Sequence, residues 1–183
     1  MKRTVLLLAG LAAISATAIE VGDKAPEIVL KNQDGKVWKL SEHLGGKHLV
    51  VYFYPAAMTG GCTKQACAYR DHLQSGGTTF DIVGISGDPV GNLKLFQTAE
   101  HLNFPLLSDS ETTAAKAYGV PVKSGEKAIK RTVAGEEVEL KRNTTTARWT
   151  FIIDPAGKVI YKDDQVKPMA DLQNIISFLN QQK

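Results

Sequence analysis

The chain has 183 residues, of which 43% are hydrophobic and 22% charged, the size and make-up of one globular domain with a proper core. Its formal charge is only +3, and Lys2 and Arg3 supply two of those charges. That balance excludes a field strong enough to gather nucleic acid or an acidic membrane surface.

Taken in chain order, Lys2 and Arg3 precede an uncharged, mostly apolar run from Thr4 to Ile14, followed by Ala16-Thr17-Ala18. This pattern predicts a signal peptide over residues 1–18, cut after Ala18, and one domain over residues 19–183. The uncharged stretch is shorter than the roughly 20 residues that cross a bilayer, so no membrane anchor is expected after cleavage. The mature chain is expected to be periplasmic or secreted. There disulfides persist, and two cysteines would ordinarily form one structural staple.

Ile28–Leu30 and Lys36–Leu40 flank Asn32-Gln33-Asp34-Gly35 and predict a β-hairpin. His48–Tyr54 is apolar and aromatic after its first residue, as in a strand buried on both faces, and Pro55 stops it. From Cys62 to Leu73 no Gly or Pro intervenes, and Ala66, Tyr69 and Leu73 recur at helical spacing. A buried strand follows at Phe80–Ser86, then a helix opened by Asp88-Pro89 and carrying Leu93, Phe96 and Leu102. Phe104–Leu107 reads as a short strand, and Ser110 as the cap of an alanine-rich helix ending at Tyr118.

The stretch 121–146 mixes lysine, arginine and glutamate with poor periodicity. It is read as a small surface hairpin, Thr132–Ala134 with Val138–Leu140 around Gly135, rather than a binding patch. Ala147–Ile153 and Val159–Tyr161 then form an antiparallel pair about a turn at Asp154-Pro155-Ala156-Gly157, and Ala170–Leu179 an amphipathic terminal helix. Alternating strands and helices with a closing antiparallel pair imply an α/β or α+β sandwich, a mixed central sheet flanked by helices.

The chemistry concentrates in the segment from Pro55 to Cys67. A thiol in the first turn of a helix faces unpaired N–H groups and the positive end of the helix dipole, and this favours the thiolate. Cys62 holds that position, and Gly60-Gly61 are read as letting the backbone pass close to its sulfur. On an intact helix, residues five apart have Cα atoms about 8.6 Å apart, beyond the roughly 7 Å that a disulfide bridges. A Cys62–Cys67 bond therefore requires local melting, which suits a disulfide formed during turnover better than a permanent staple. Cys-x-x-Cys exchangers and Cys-x-x-x-Cys copper carriers have other spacings. The four histidines, His43, His48, His72 and His101, show no ligand pairing, and two cysteines alone make no zinc site, so neither metal nor other cofactor is expected.

Pro55, Thr59 and Cys62 match the Pro-x-x-x-Thr-x-x-Cys motif of peroxiredoxins. With Cys67 added, the chain resembles the bacterioferritin comigratory protein, or peroxiredoxin Q, subfamily, from Val21-Gly22-Asp23 through Thr150–Asp154. Gly60, where a proline is frequent, and the long 121–146 segment depart from it. The resemblance implies a thioredoxin-like fold with peroxiredoxin-type N-terminal additions and an active-site arginine at Arg148. It implies a thiol-dependent peroxidase acting on hydrogen peroxide or organic hydroperoxides. Cys62 passes through a sulfenic acid, Cys67 resolves it as an intramolecular disulfide, and Thr59, Arg148 and the N–H groups near Cys62 stabilise the transition state beneath Pro55. A thioredoxin-like dithiol would reduce the disulfide, and the chain is expected to act as a monomer. The rival readings are an exported thiol-disulfide electron-transfer protein without peroxidase activity and a binding module whose disulfide is a staple.

Overall fold

A computed structural model of the protein describes residues 18–77 and 79–182. The segment read as a signal peptide lies outside them, apart from Ala18.

The long apolar run in the sequence forms β3 (His48–Phe53), an interior strand of a seven-stranded sheet. Strands β4 (Phe80–Ser86) and β5 (Leu106–Ser108) extend it in parallel on one side, and β1 (Val29–Asn32) and β2 (Val37–Lys39) complete that edge antiparallel. On the other side β8 (Trp149–Ile153) and β9 (Val159–Asp163) add antiparallel, giving the order β2-β1-β5-β4-β3-β8-β9.

The run is continuously apolar because successive side chains of β3 enter different cores. Val50, Tyr52 and Tyr54 pack under α1 (Gly60–Gln74), α2 (Val90–Glu100) and α4 (Asp171–Asn180). Leu49, Val51 and Phe53 pack on the opposite face with α3 (Thr113–Ala117), Tyr118 and the segment from Ile19 to Ile28. Gly84 on β4 is fixed by this packing, since a Cβ there would lie 2.7 Å from the Tyr52 hydroxyl. The N-terminal segment belongs to the same body: Gly22 N–H donates to the Val159 carbonyl at 2.8 Å, and Lys162 pairs with Glu20 at 2.6 Å.

Three local expectations are corrected. Leu102 lies beyond α2, because His101 takes a left-handed conformation (φ 51°) and ends the helix. The N-cap position of α3 is Thr112 rather than Ser110, and the first N–H groups of the helix are satisfied by Asp109, its two carboxylate oxygens accepting from Ala114 and Ala115 at 3.1 and 2.8 Å. The hairpin of the 121–146 segment is not small: β6 (Val122–Val133) and β7 (Glu136–Thr146) pair over almost its whole length. Ala134 and Gly135, both at positive φ, make the tight turn whose twist suits paired strands. Nor is the hairpin only a surface feature, since Leu140 enters the core and Ala147 N–H returns to the Pro121 carbonyl at 2.8 Å.

Candidate active site

Register brings the parts of the site together. Phe53 at the end of β3 pairs with Trp149 at the start of β8, so the loop leaving β3 and the residue entering β8 are neighbours. That loop is Pro55–Thr59, and that residue is Arg148. Cys62 sits in the first turn of α1, buried at 2% exposure, and Arg148 Nη2 donates to its Sγ at 3.1 Å. A guanidinium at that distance stabilises negative charge on the sulfur.

Thr59 precedes α1 but its hydroxyl does not cap the helix. It donates to the Ala56 carbonyl at 2.9 Å, within the loop. Pro55 and Thr59 together line a cavity of about 710 Å³. Gly60 and Gly61 do not have the role read from the sequence. Both lie inside α1, a Cβ on Gly60 would meet nothing, and one on Gly61 would make only ordinary contacts with Pro168 and Arg148. The strained residue is Met58, at φ 59°, whose carbonyl accepts from Arg131 Nε at 2.8 Å.

Two networks hold this loop and its arginine. In the first, Arg148 Nη1 donates to Gln65 Oε1, one turn beyond Cys62 on the same face of α1. Gln65 Nε2 in turn donates to Asp171 Oδ2 at 2.5 Å, an oxygen that also accepts from Tyr69 at 2.5 Å and Thr150 at 2.9 Å. Burial pushes the Asp171 carboxyl above the usual range, and those three donors pull it back. In the second, the fully buried Asp88 accepts from Ala57 N–H at 2.7 Å, Asn92 at 3.0 Å and Arg142 Nε at 2.7 Å. Arg142, on β7, also donates to the Ala57 carbonyl at 3.3 Å, so the hairpin is tied to the loop that carries Thr59.

Cys67 lies five residues along the same unbroken helix and is half-buried; both cysteines are free thiols. Its thiol donates to Glu100 Oε2 at 3.5 Å. Burial first, and then the Glu100 carboxylate, hold this thiol above its usual range, against the pull of Arg70.

The structure thus brings Arg148 onto Cys62, with Pro55 and Thr59 on the loop that precedes α1, lining a cavity whose walls include neither Cys62 nor Arg148, and Cys67 one and a half turns along the helix. Gln65, Asp171, Asp88, Arg142 and Glu100 were not singled out in the sequence. A signal existed for two of them: Gln65 falls on the buried stripe with Ala66 and Tyr69, and Asp171 on the one with Ile175 and Leu179. A polar residue on an apolar stripe marks a buried network.

The chain as a whole is matched in known proteins. The model of the AhpC/TSA family matches residues 21–162. The chain belongs to that family. It is 35% identical over 163 residues to the chloroplastic peroxiredoxin Q of Populus jackii, an alignment spanning 88% of this chain and 68% of that one. The crystal structure of the peroxidoxin BcpB from Mycobacterium tuberculosis superposes with a TM-score of 0.73 at 32% identity, covering 90% of this chain and 99% of that one. A peroxiredoxin Q structure from Xanthomonas campestris gives 0.68 at 25% identity, over 85% and 92% of the two chains. The fold is therefore thioredoxin-like and the protein a thiol-dependent peroxidase, an oxidoreductase. Membership brings with it a peroxide substrate and a thioredoxin-like reductant.

Proposed function

We propose that Cys62 is the attacking thiolate and Cys67 the resolving thiol of a peroxide reductase. The observation that carries this is the Arg148 guanidinium 3.1 Å from the Cys62 sulfur, in the first turn of the helix that follows the Pro55–Thr59 loop. The thiolate attacks the distal oxygen of the hydroperoxide, the O–O bond breaks, and water or an alcohol leaves with a proton. The sulfur is oxidised to a sulfenic acid and the peroxide reduced. Arg148 faces the developing charge, where a fixed donor contributes most, and Thr59, whose hydroxyl proton goes to the Ala56 carbonyl, offers its oxygen as an acceptor for the peroxide O–H. Cys67 then attacks the sulfenic sulfur, releasing water and closing the Cys62–Cys67 disulfide. Because both cysteines occupy α1, this second step requires the helix to unwind between them. A thioredoxin-like dithiol takes the oxidising equivalents. The chain acts as a monomer after export, with Ile19 as its mature N-terminus, a reading that rests on the charged, apolar and small-residue pattern of residues 2–18.

The test uses protein recovered from the export compartment, its intact mass locating the N-terminus. Cys62→Ser should abolish peroxide consumption. Cys67→Ser should keep the first oxidation near wild-type speed and accumulate a sulfenic acid at Cys62 that dimedone traps and excess peroxide over-oxidises. A Cys62→Ser protein that still consumes peroxide would sink the assignment. Disulfide transfer to a dithiol without any peroxide consumption by the wild type would favour an electron-transfer protein instead.

A further inference from the structure

The loop that leads into α1 is fastened from outside itself, and the fastenings differ in kind. Ala57 N–H donates to Asp88 at 2.7 Å and the Ala57 carbonyl accepts from Arg142 at 3.3 Å, both partners being buried. The base of the β6–β7 hairpin is pressed against the same region, since a Cβ on Gly87 would lie 2.6 Å from the Thr144 carbonyl oxygen. Arg131 lies farther toward the hairpin turn and is only half-buried. Its Nε donates to the Met58 carbonyl at 2.8 Å, and its Nη1 to the Lys130 carbonyl of its own strand at 2.7 Å, so the guanidinium is aimed before it meets the loop.

Met58 is where the loop needs holding. At φ 59° it occupies the left-handed region that a side chain disfavours, and such a residue persists only where its surroundings over-determine it. The next residue is Thr59, whose carbonyl accepts from Thr63 N–H at 2.8 Å and so opens the hydrogen-bond ladder of α1. Strain at Met58 is therefore directly connected to the turn that carries Cys62. The two chemical steps place opposite demands on that turn: peroxide attack uses it intact, with Arg148 on the sulfur, whereas closing the disulfide uses it unwound.

We propose that Arg131 is a positioning residue of the peroxide site: its hydrogen bond to the Met58 carbonyl holds the loop and the first turn of α1 in the arrangement that peroxide attack needs, and its release lets that turn unwind for the disulfide. The proposal rests on the peroxidase reading and adds to it a residue of the hairpin that acts through the backbone of Met58. A hydrogen bond from a charged donor biases such an equilibrium by roughly tenfold, the lower end of its range, because Arg131 is half exposed.

The experiment follows a single turnover of the purified protein with hydrogen peroxide in wild type, Arg131→Met and Arg131→Lys. In Arg131→Met the second-order oxidation of Cys62 should slow severalfold, while first-order disulfide formation should quicken by about tenfold. The share of Cys62 over-oxidised in excess peroxide, read by intact mass, should fall, because the sulfenic acid waits less time for Cys67. Arg131→Lys, which restores one cationic donor, should bring both rates back toward wild type. Amide exchange at Thr63 in the reduced protein should quicken in Arg131→Met while that at Phe96 in α2 stays unchanged, and melting temperatures show that the fold is retained. Both steps slowing together, or neither moving, would overturn the proposal and leave the peroxidase reading standing. A lysine variant indistinguishable from the methionine variant would equally overturn it. Absence of Cys62 oxidation by peroxide in the wild type would overturn both.

Discussion

Two thiols on one helix meet opposite surroundings. Cys62 is buried against a guanidinium, whereas Cys67 is half-buried against the Glu100 carboxylate. The first sulfur has a charged donor beside it, and the second is held as a neutral thiol by burial and by Glu100, a difference that fits the attacking and resolving roles proposed for them. The charged groups that act on Cys67 are Glu100 from α2 and Arg70 and Asp71 from α1, with burial the largest influence. Since its thiol is held above the usual range, disulfide formation in the wild type should quicken with pH up to and beyond about 8.5, the ordinary value for a thiol. Replacing Glu100→Gln removes a negative charge that favours the proton. The rise should then shift to lower pH, and the rate at pH 7 should increase severalfold. Single-turnover disulfide formation followed across pH in both proteins measures this. A curve that does not move would show that Glu100 has no hold on the resolving thiol. At this scale the sequence was informative wherever chemistry had a fixed spacing. Pro55, Thr59, Cys62 and Cys67 stand in one short run, and Arg148 heads a legible strand. It was silent on Glu100, which meets Cys67 only because α2 ends beside α1.

Among the elements, the central strands and α1 were readable because burial imposes a period, and β3 announced its two covered faces by having no polar alternation. The β6–β7 hairpin hid its length for the converse reason. Its inward positions include Arg131 and Arg142, so the apolar-polar alternation that marks a strand is blurred. What holds the hairpin is partly ionic, and the Arg142–Asp88 pair is almost wholly buried, at 3% and 0% exposure. Removing one partner of such a pair leaves an uncompensated charge and costs about 3–5 kcal/mol. Arg142→Met should therefore lower stability by that order, and it should slow peroxide reduction by loosening the loop at Ala57. Adding Asp88→Asn to Arg142→Met should recover part of the stability, because no lone buried carboxylate remains. Denaturant unfolding of the single and double variants checks both statements. A single variant as stable as the wild type would mean that the hairpin does not depend on this pair.

At the scale of the whole molecule, the helix that carries both cysteines and the C-terminal helix are connected through Asp171. This carboxylate heads α4 and takes its donors from α1, through Gln65 and Tyr69, and from β8, through Thr150. In the proposed cycle, closing the Cys62–Cys67 disulfide unwinds the part of α1 that contains Gln65, and oxidation then removes a donor from a buried charge. Asp171 is held above the usual carboxyl range by burial, and losing a donor raises it further. The sign follows from linkage. A carboxyl whose folded value lies above its unfolded value of about 3.9 costs the folded state nothing while protonated, and it destabilises progressively as pH rises from there through the folded value. With the folded value higher after oxidation, the destabilised window extends to higher pH in the disulfide form. Melting temperatures of reduced and oxidised protein should therefore diverge as pH increases from about 4 toward neutrality, the oxidised form falling further. Asp171→Asn should remove the pH-dependent part of that divergence, whatever constant offset the disulfide itself introduces. Hydrogen exchange on the two redox forms supplies the structural side of the measurement. Protection should weaken from Cys62 to Leu73 on oxidation and, through Asp171, in the first turn of α4 as well. If α4 keeps its protection while α1 loses it, and the divergence of melting temperatures is the same with asparagine, the two helices are not coupled through this carboxylate.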